Sequence, residues 1–270
     1  MKRAVLIGLV VLLAGVGVYF GWRYYRDVYL PNKQVEDALD EQEALFAQIK
    51  PSLAPLSQED APAETAEPAE SAPEAPAVDW LAELRAVNPD TVGWLTIEGT
   101  AVDYPIVQAQ DNAAYLRTGY DGAYNYVGCP FLDAACDPDF GGFCSIIYAH
   151  YIPGRPEMFA DIVKYKDSDF LREHPRGVLL TESGPCEVRF FAYLSVRSDS
   201  PLYEPRQETQ AEREAYIDGM FDRAKYALEL PGTSPEELKS SETPRLLLLS
   251  TCSYEYEKAR AVLVGVIAEE

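Results

Sequence analysis

Eight short apolar runs, separated by turns rich in glycine, proline and aspartate, limit the fold of this chain more strongly than any other feature. Their length and the turn residues between them are typical of β-strands. The runs are Gly93–Ile97, Ala101–Val107, Cys129–Leu132, Ser145–Ala149, Gly177–Thr181, Glu187–Ser195, Leu246–Thr251 and Ala259–Ala268. The pattern predicts one mostly β domain over residues 79–270, built as an eight-stranded barrel or sandwich.

Three helical patterns accompany these strands. A short helix is predicted from Trp80 to Val87, just before the first strand, and it stops ahead of a proline as expected. Met158–Lys164 and the longer Glu208–Leu228 interrupt the strands, and the second places apolar side chains along one face.

The N-terminal segment has the composition of a membrane-spanning helix. Ala4 to Trp22 contains no charged residue and has about the length of a helix that crosses a bilayer. We interpret residues 1–27 as a cytoplasmic tail and an uncleaved signal anchor, with the rest of the chain outside the cell. A cleaved signal peptide, with a small-residue site at Ala14 and Gly15, is the alternative.

Residues 28–78 are predicted to combine a juxtamembrane helix with a linker. Asn32 to Lys50 has apolar residues at roughly helical spacing. Residues 57–79 are acidic and rich in proline, with no basic residue, so they cannot bury enough apolar surface to fold. At about 3.1 Å per residue, such an extended tether would hold the next domain ~70 Å from the membrane.

The charge and the cysteine count restrict the function. A formal net charge of −21 argues against nucleic acid as a partner, because phosphates require a basic face.

Five cysteines outside the cytosol leave one unpaired, and Cys252 is the candidate for a reactive thiol or a link between chains. Cys129, Cys136 and Cys144 are close in sequence. A disulfide bridge among them is one hypothesis and a zinc site with His150 is the other, although the spacing lacks the tight pairs of zinc modules.

Cys252 ends the apolar run Leu246–Thr251, and Arg260 lies at the start of the run that returns beside it. If these runs are neighbouring strands, the thiol and the guanidinium share one barrel edge, where arginine can favour a thiolate or hold an oxyanion. His150 ends another apolar run, so a possible acid/base group also lies at a strand end. The three residues predict a catalytic site. In the alternative, Cys252 is an inert buried thiol, His150 a hydrogen-bonded loop residue and Arg260 a partner in a surface ion pair.

Three segments resemble class B sortases. LLLSTCSYEYEKAR resembles the sortase signature, a strand that ends in Thr-Cys and is followed closely by arginine. IIYAHYIPGRPEMFADIVKY resembles the class B histidine segment, and VGWLTIEGTAVDYPIVQAQDNAAYL resembles the early strands. The similarity runs from about Asp79 to Ile267, with a helix in the long insertion before the cysteine strand. It implies an eight-stranded sortase-type β-barrel and a cysteine transpeptidase that needs no cofactor and no calcium.

The resemblance also implies roles for individual residues. Cys252 would attack the carbonyl after threonine in a C-terminal sorting motif of a surface protein and form a thioester. His150 would protonate the departing amine and deprotonate the incoming one, and Arg260 would stabilise the oxyanion. The acceptor would be an amine of a peptidoglycan precursor or a pilin lysine, at the outer membrane face of a Gram-positive cell. Substrate-binding positions implied in the same way are Ser250, Thr251, Leu202 and Tyr203.

Two other functions remain open at this level. A papain-like peptidase or an L,D-transpeptidase uses similar residue types, but the first places cysteine before histidine and on a helix, and the second surrounds cysteine with a glycine-bearing motif. A membrane-tethered β-barrel binding module without catalysis is the other alternative. The intact set of His150, Cys252 and Arg260 argues against it.

Overall fold

A nine-stranded sheet curls on itself in the computed structural model, which describes residues 2–51, 80–253 and 255–268. The strands are β1 Thr91–Ile97, β2 Asp103–Val107, β3 Phe131–Leu132, β4 Cys144–Tyr148, β5 Arg176–Thr181, β6 Gly184–Arg197, β7 Ala224–Ala227, β8 Leu246–Cys252 and β9 Ala259–Ile267. Neighbours follow the order β5, β1, β2, β3, β4, β8, β9, β6, and pairing of β5 with β6 closes an eight-stranded barrel. The predicted barrel and its eight strands are confirmed.

The helices surround this barrel. They are α1 Lys2–Tyr24, α2 Leu30–Ile49, α3 Trp80–Val87, α4 Ser168–Glu173, α5 Gln210–Arg223 and α6 Pro235–Ser240, with 3-10 helices at Ala114–Leu116, Ala160–Lys166 and Pro201–Tyr203. The predicted helix Met158–Lys164 is largely the second of these 3-10 helices. The predicted helix Glu208–Leu228 ends earlier, at Arg223, because Ala224–Ala227 pair with β6 as β7. Its start follows a local signal, since Thr209 and Glu212 form a capping box.

A π-helical turn at Tyr25–Tyr29 joins α1 to α2. Pro31 lies in the first turn of α2 and has no backbone N–H, and its ring crowds the carbonyl of Asp27 four residues earlier. A locally widened helix accommodates such a residue without ending the helix. Within the described part of the chain, no helix meets the combined length and apolarity required to cross a membrane.

α2 packs on the barrel. Phe46 is 6% exposed, and its ring meets those of Trp94, Tyr104 and Tyr120 edge-on, with centroids 6.1, 5.8 and 5.9 Å away. Such pairs add about 0.5–1.5 kcal/mol beyond the area they bury. The helix assigned to the spacer from its sequence therefore belongs with the barrel domain.

The described residues on either side of the proline-rich segment meet the same part of the core. Ile49 of α2 and Trp80 of α3 both pack against the cluster that contains Phe46 and Leu84. The predicted tether itself lies outside the described residues. Its flanking helices are nevertheless attached to one domain, so the chain between them does not separate α2 from the barrel.

Replacing Phe46 by alanine tests whether α2 is part of this domain. We expect the free energy of unfolding to fall by ~3–5 kcal/mol, because the change removes a buried aromatic side chain and leaves a cavity. Urea denaturation followed by tryptophan fluorescence measures the loss. Glu41→Ala, on the exposed side of α2, is the control and should change the same free energy by less than ~0.5 kcal/mol. Equal stability of both variants would contradict the packing.

Candidate active site

Cys252 and Arg260 lie opposite one another on neighbouring strands. β8 and β9 are antiparallel, and their register pairs the last residue of β8, Cys252, with the second residue of β9, Arg260. Residues paired in this way have Cα atoms about 4.5–5.5 Å apart and side chains on the same face. The structure therefore brings the thiol and the guanidinium to one edge of the barrel.

His150 reaches the same edge from the other side of β8. β4 runs parallel to β8, and Tyr148 at its end is level with Ser250. The backbone N–H of Ala149 then donates to the carbonyl of Ser250 at 3.3 Å. Because parallel strands advance in step, His150 arrives level with Cys252. The pairing of two segments far apart in sequence thus brings the histidine to the barrel edge at which β8 ends in Cys252.

The imidazole of His150 is held by a backbone carbonyl. Its Nε2 lies 2.9 Å from the carbonyl oxygen of Leu116, in the segment after β2. A carbonyl only accepts hydrogen bonds, so Nε2 carries the hydrogen and Nδ1 of the neutral ring is the free acceptor. Burial lowers the pKa of His150, the bond to Leu116 opposes this in part, and the charge of Arg117 lowers the pKa further. The neutral form of the ring is therefore favoured.

Ser250 and Tyr203 join this group. The phenol of Tyr203, at the end of the 3-10 helix Pro201–Tyr203, lies 2.8 Å from Oγ of Ser250. Burial raises the pKa of Tyr203 to about 12, while Arg260 lowers it and Cys252 raises it, so both groups are within electrostatic reach of the phenol. Tyr203 stays a protonated hydrogen-bond donor beside the reactive residues.

The other two predicted substrate positions have packing contacts. Thr251 is adjacent to Cys252 in the strand, so its side chain faces the opposite side of the sheet, and its hydroxyl donates to the carbonyl of Ala149 at 2.9 Å. Leu202 is 3% exposed, and its carbonyl accepts a hydrogen bond from Tyr216 at 2.8 Å. Both residues support the walls behind the site.

Sequence reasoning missed two contributors. Tyr148 faces the same side as Ser250, with its ring 6.0 Å from that of Tyr203 and its hydroxyl donating to Asp133 at 2.9 Å. The alternation of β4 indicates this facing, since Tyr148 is two residues before His150. The second contributor is the backbone carbonyl of Leu116, which binds His150. Every residue has a backbone carbonyl, so the sequence does not indicate which one binds the histidine.

Cys252 differs from the other cysteines. All five are free thiols, so the bridge considered among Cys129, Cys136 and Cys144 is not formed. Burial raises the pKa of Cys136 to about 12 and raises those of Cys129 and Cys144 as well, which keeps these thiols protonated. Cys186 is buried too, whereas Cys252 is partly exposed. Of the five, Cys252 has the access that a nucleophile needs.

Known proteins identify the family. No family model matches the chain. Sortase B of Listeria monocytogenes is 31% identical over 261 residues, which cover 95% of this chain and 94% of that relative. The chain belongs to the class B sortases. The solved sortase B of Clostridium perfringens has a TM-score of 0.63 at 22% identity and covers 70% of this sortase and 100% of its own chain. A class B sortase of Streptococcus pyogenes, described as involved in pilus biogenesis, has a TM-score of 0.60 at 26% identity, with 70% and 97% covered.

The lowered pKa of His150 predicts a loss of stability in acid. The fold prefers the neutral ring, so protonation favours the unfolded chain, whose imidazoles titrate near ~6.5. The contribution should be absent above that pH and should grow as pH falls, until the folded histidine is protonated as well. Urea denaturation between pH 7.5 and 5 should show a smaller decrease in unfolding free energy for His150→Gln than for the wild type. His174→Gln is the control, and equal slopes for wild type and His150→Gln would count against the burial effect.

Proposed function

We propose that this sortase is a membrane-anchored cysteine transpeptidase that cleaves a C-terminal sorting motif after threonine and transfers the protein to an amine. The observation that carries the proposal is the pairing of Cys252 with Arg260, with His150 two residues beyond the end of β4, the strand on the other side of β8. Nucleophile, acid/base group and oxyanion donor are the three functions that acyl transfer requires.

Acylation begins when neutral His150 takes the proton of the Cys252 thiol, and the resulting thiolate attacks the threonine carbonyl. A bond forms between Sγ and the carbonyl carbon, and the carbonyl oxygen becomes an oxyanion. Arg260 stabilises that charge with donors of its guanidinium, while one Nη1 hydrogen bonds to the carbonyl of Ala259 at 3.1 Å and fixes the orientation of the group. The carbon–nitrogen bond then breaks, the imidazolium of His150 protonates the departing amine, and a thioester remains.

Deacylation reverses these roles. The incoming amine attacks the thioester carbon, and neutral His150 accepts the proton that the amine loses. Arg260 again stabilises the oxyanion, which collapses to an amide as the thiolate of Cys252 leaves. The lowered pKa of His150 suits this step, because a neutral ring is available to accept the proton.

The wall formed by Ser250, Tyr203 and Tyr148 is the proposed binding surface for the sorting motif. Its hydroxyls and aromatic faces lie on the same side of the sheet as Cys252, which suits a peptide with polar and apolar side chains. Thr251 and Leu202 shape this surface from behind through their packing contacts.

The acceptor amine belongs to a peptidoglycan precursor or to a pilin lysine. The Streptococcus pyogenes relative described as involved in pilus biogenesis supports the second option. Residues 1–27 are the proposed anchor, which would hold the domain at the outer face of a Gram-positive membrane, where secreted substrates and wall precursors meet.

A panel of threonine-containing sorting peptides, offered to the full-length chain with and without amine acceptors, tests this function. We expect cleavage, a thioester adduct on wild-type protein seen by mass spectrometry, and release of that adduct when an amine is added. Cys252→Ala should abolish all three, and Cys186→Ala is the matched control at a buried thiol. Release by water at an equal rate would indicate a peptidase, and no cleavage of any peptide would favour a silent binding module.

Arg260→Lys tests the oxyanion role. Lysine keeps the charge but lacks the planar fork of donors, so we expect kcat to fall by roughly 10²–10³-fold while the fold and the thermal midpoint are retained. Arg245→Lys, whose guanidinium bonds to the carbonyl of Ala268, is the control away from the site. Turnover equal to wild type in Arg260→Lys would remove Arg260 from the mechanism.

A further inference from the structure

α2 bridges the two segments between which the imidazole of His150 lies. Its residues Ala38 and Leu39 are buried in one cluster with Val127 and Ile152. Ile152 belongs to the loop that leaves His150, and Val127 belongs to the segment that provides the acceptor for the ring. The helix is therefore in a position to set the spacing between the histidine and its acceptor.

Gln42 is a polar residue within this apolar face. It is 5% exposed, and its Nε2 donates to the carbonyl of Gly128 at 2.5 Å. In the opposite direction, Nδ2 of Asn125 donates to the carbonyl of Ala38 at 3.3 Å. Oε1 of Gln42 is buried without a partner, so the bond of Nε2 is the one that holds this amide. Since a buried donor is costly without its acceptor, the bonds from Gln42 and Asn125 favour one register of α2 on the segment that contains residues 115–128.

Gly128 lies close to the carbonyl that accepts from His150, with no room for a side chain between them. Its φ is +64°, and a Cβ atom built there would lie 2.3 Å from the oxygen of Tyr115 and 2.8 Å from the oxygen of Leu116. The same Leu116 oxygen is 2.9 Å from Nε2 of His150. The backbone N–H of Cys129, the next residue, also donates to the carbonyl of Tyr115 at 3.1 Å, so a shift of the Gly128 peptide would act on the backbone that carries the acceptor.

We propose that Gln42 is a positioning residue for the acid/base histidine, because it holds Gly128, and through Gly128 the Leu116 carbonyl, against the ring of His150. This inference rests on the proposed function of His150. The carbonyl keeps the hydrogen on Nε2, so Nδ1 is the nitrogen that exchanges protons with substrate. α2 is thus a working part of the catalytic domain.

Loss of the hydrogen bond to Leu116 should change the pKa of His150 in a defined direction. Burial lowers the pKa of His150, and the bond to Leu116 opposes that effect. When the carbonyl moves away while the ring stays as shielded from solvent as before, the pKa of His150 falls further. Arg117 is the charged group that acts on His150. The other charged or titratable groups on the surrounding elements, all unchanged by a substitution at Gln42, are Tyr126, Tyr151, Arg155, Glu157, Cys252 and Arg260, with Glu41 and Glu43 on α2.

The test is Gln42→Met in the full-length chain, since methionine has a similar volume and no donor. NMR titration of the chain's two histidines, with His174 as the internal reference, should show a lower pKa for His150 alone. We expect kcat for transpeptidation to fall on the order of tenfold, with KM unchanged, because the acid/base group is misplaced. Gln48→Met is the matched control, because Gln48 is exposed on the same helix and bonds only to the carbonyl of Ala44.

Loss of stability alone is separated from positioning by Phe46→Ala. That variant weakens the packing of α2 without removing the bond from Gln42, so it should lower the thermal midpoint and keep the wild-type pKa of His150. An unchanged or raised pKa in Gln42→Met, or the same change in Phe46→Ala, overturns the positioning role.

The titration needs no substrate, so it also separates this inference from the proposed function. If wild-type protein transfers no peptide while Gln42→Met still lowers the pKa of His150, the transpeptidase assignment fails and the support by Gln42 stands. If wild-type protein is active and Gln42→Met leaves the pKa of His150 unchanged, the transpeptidase assignment stands and the support by Gln42 fails.

Discussion

The parallel pairing of β4 with β8 is the interaction on which the site depends. It aligns Cys144–Tyr148 with Leu246–Ser250, residues separated by about a hundred positions along the chain. Parallel strands need a long crossover, and here the crossover contains β5, β6, α5 and β7. Leu246 to Leu249 are completely buried, as expected for a strand covered on both faces. A slip of one residue in this pairing would separate His150 from Cys252.

The same strand provides both stability and chemistry, in different parts of its length. Up to Leu249 the strand is apolar core, and from Ser250 onward it carries residues of the proposed site at the barrel edge. This arrangement keeps the thiol of Cys252 on a paired strand while leaving it partly exposed. The thiols inside the barrel domain, such as Cys136 and Cys144, lack that access and stay protonated.

Support for the site extends beyond the barrel wall. His150 depends on the carbonyl of Leu116, that carbonyl lies against Gly128, and Gly128 accepts a hydrogen bond from Gln42 of α2. α2 therefore packs with the barrel domain, although its sequence reads as a separate juxtamembrane element. The proposed membrane anchor and the proposed acid/base group would then be joined by one run of helix and a few buried contacts.

The sequence by itself determined the strands, because turn residues and short apolar runs act locally and need no partner to be recognised. It also determined which residue types can carry acyl transfer, and the motif around Cys252 and Arg260 pointed to the correct family. Only the tertiary structure decided what lies beside them. The end of α5 and the presence of β7 came from pairing with β6, a non-local contact that overrode a helical pattern. The carbonyl that holds His150, the buried bond of Gln42 and the packing of α2 on the barrel depend on backbone positions and on segments far apart in sequence, which side-chain identity does not record.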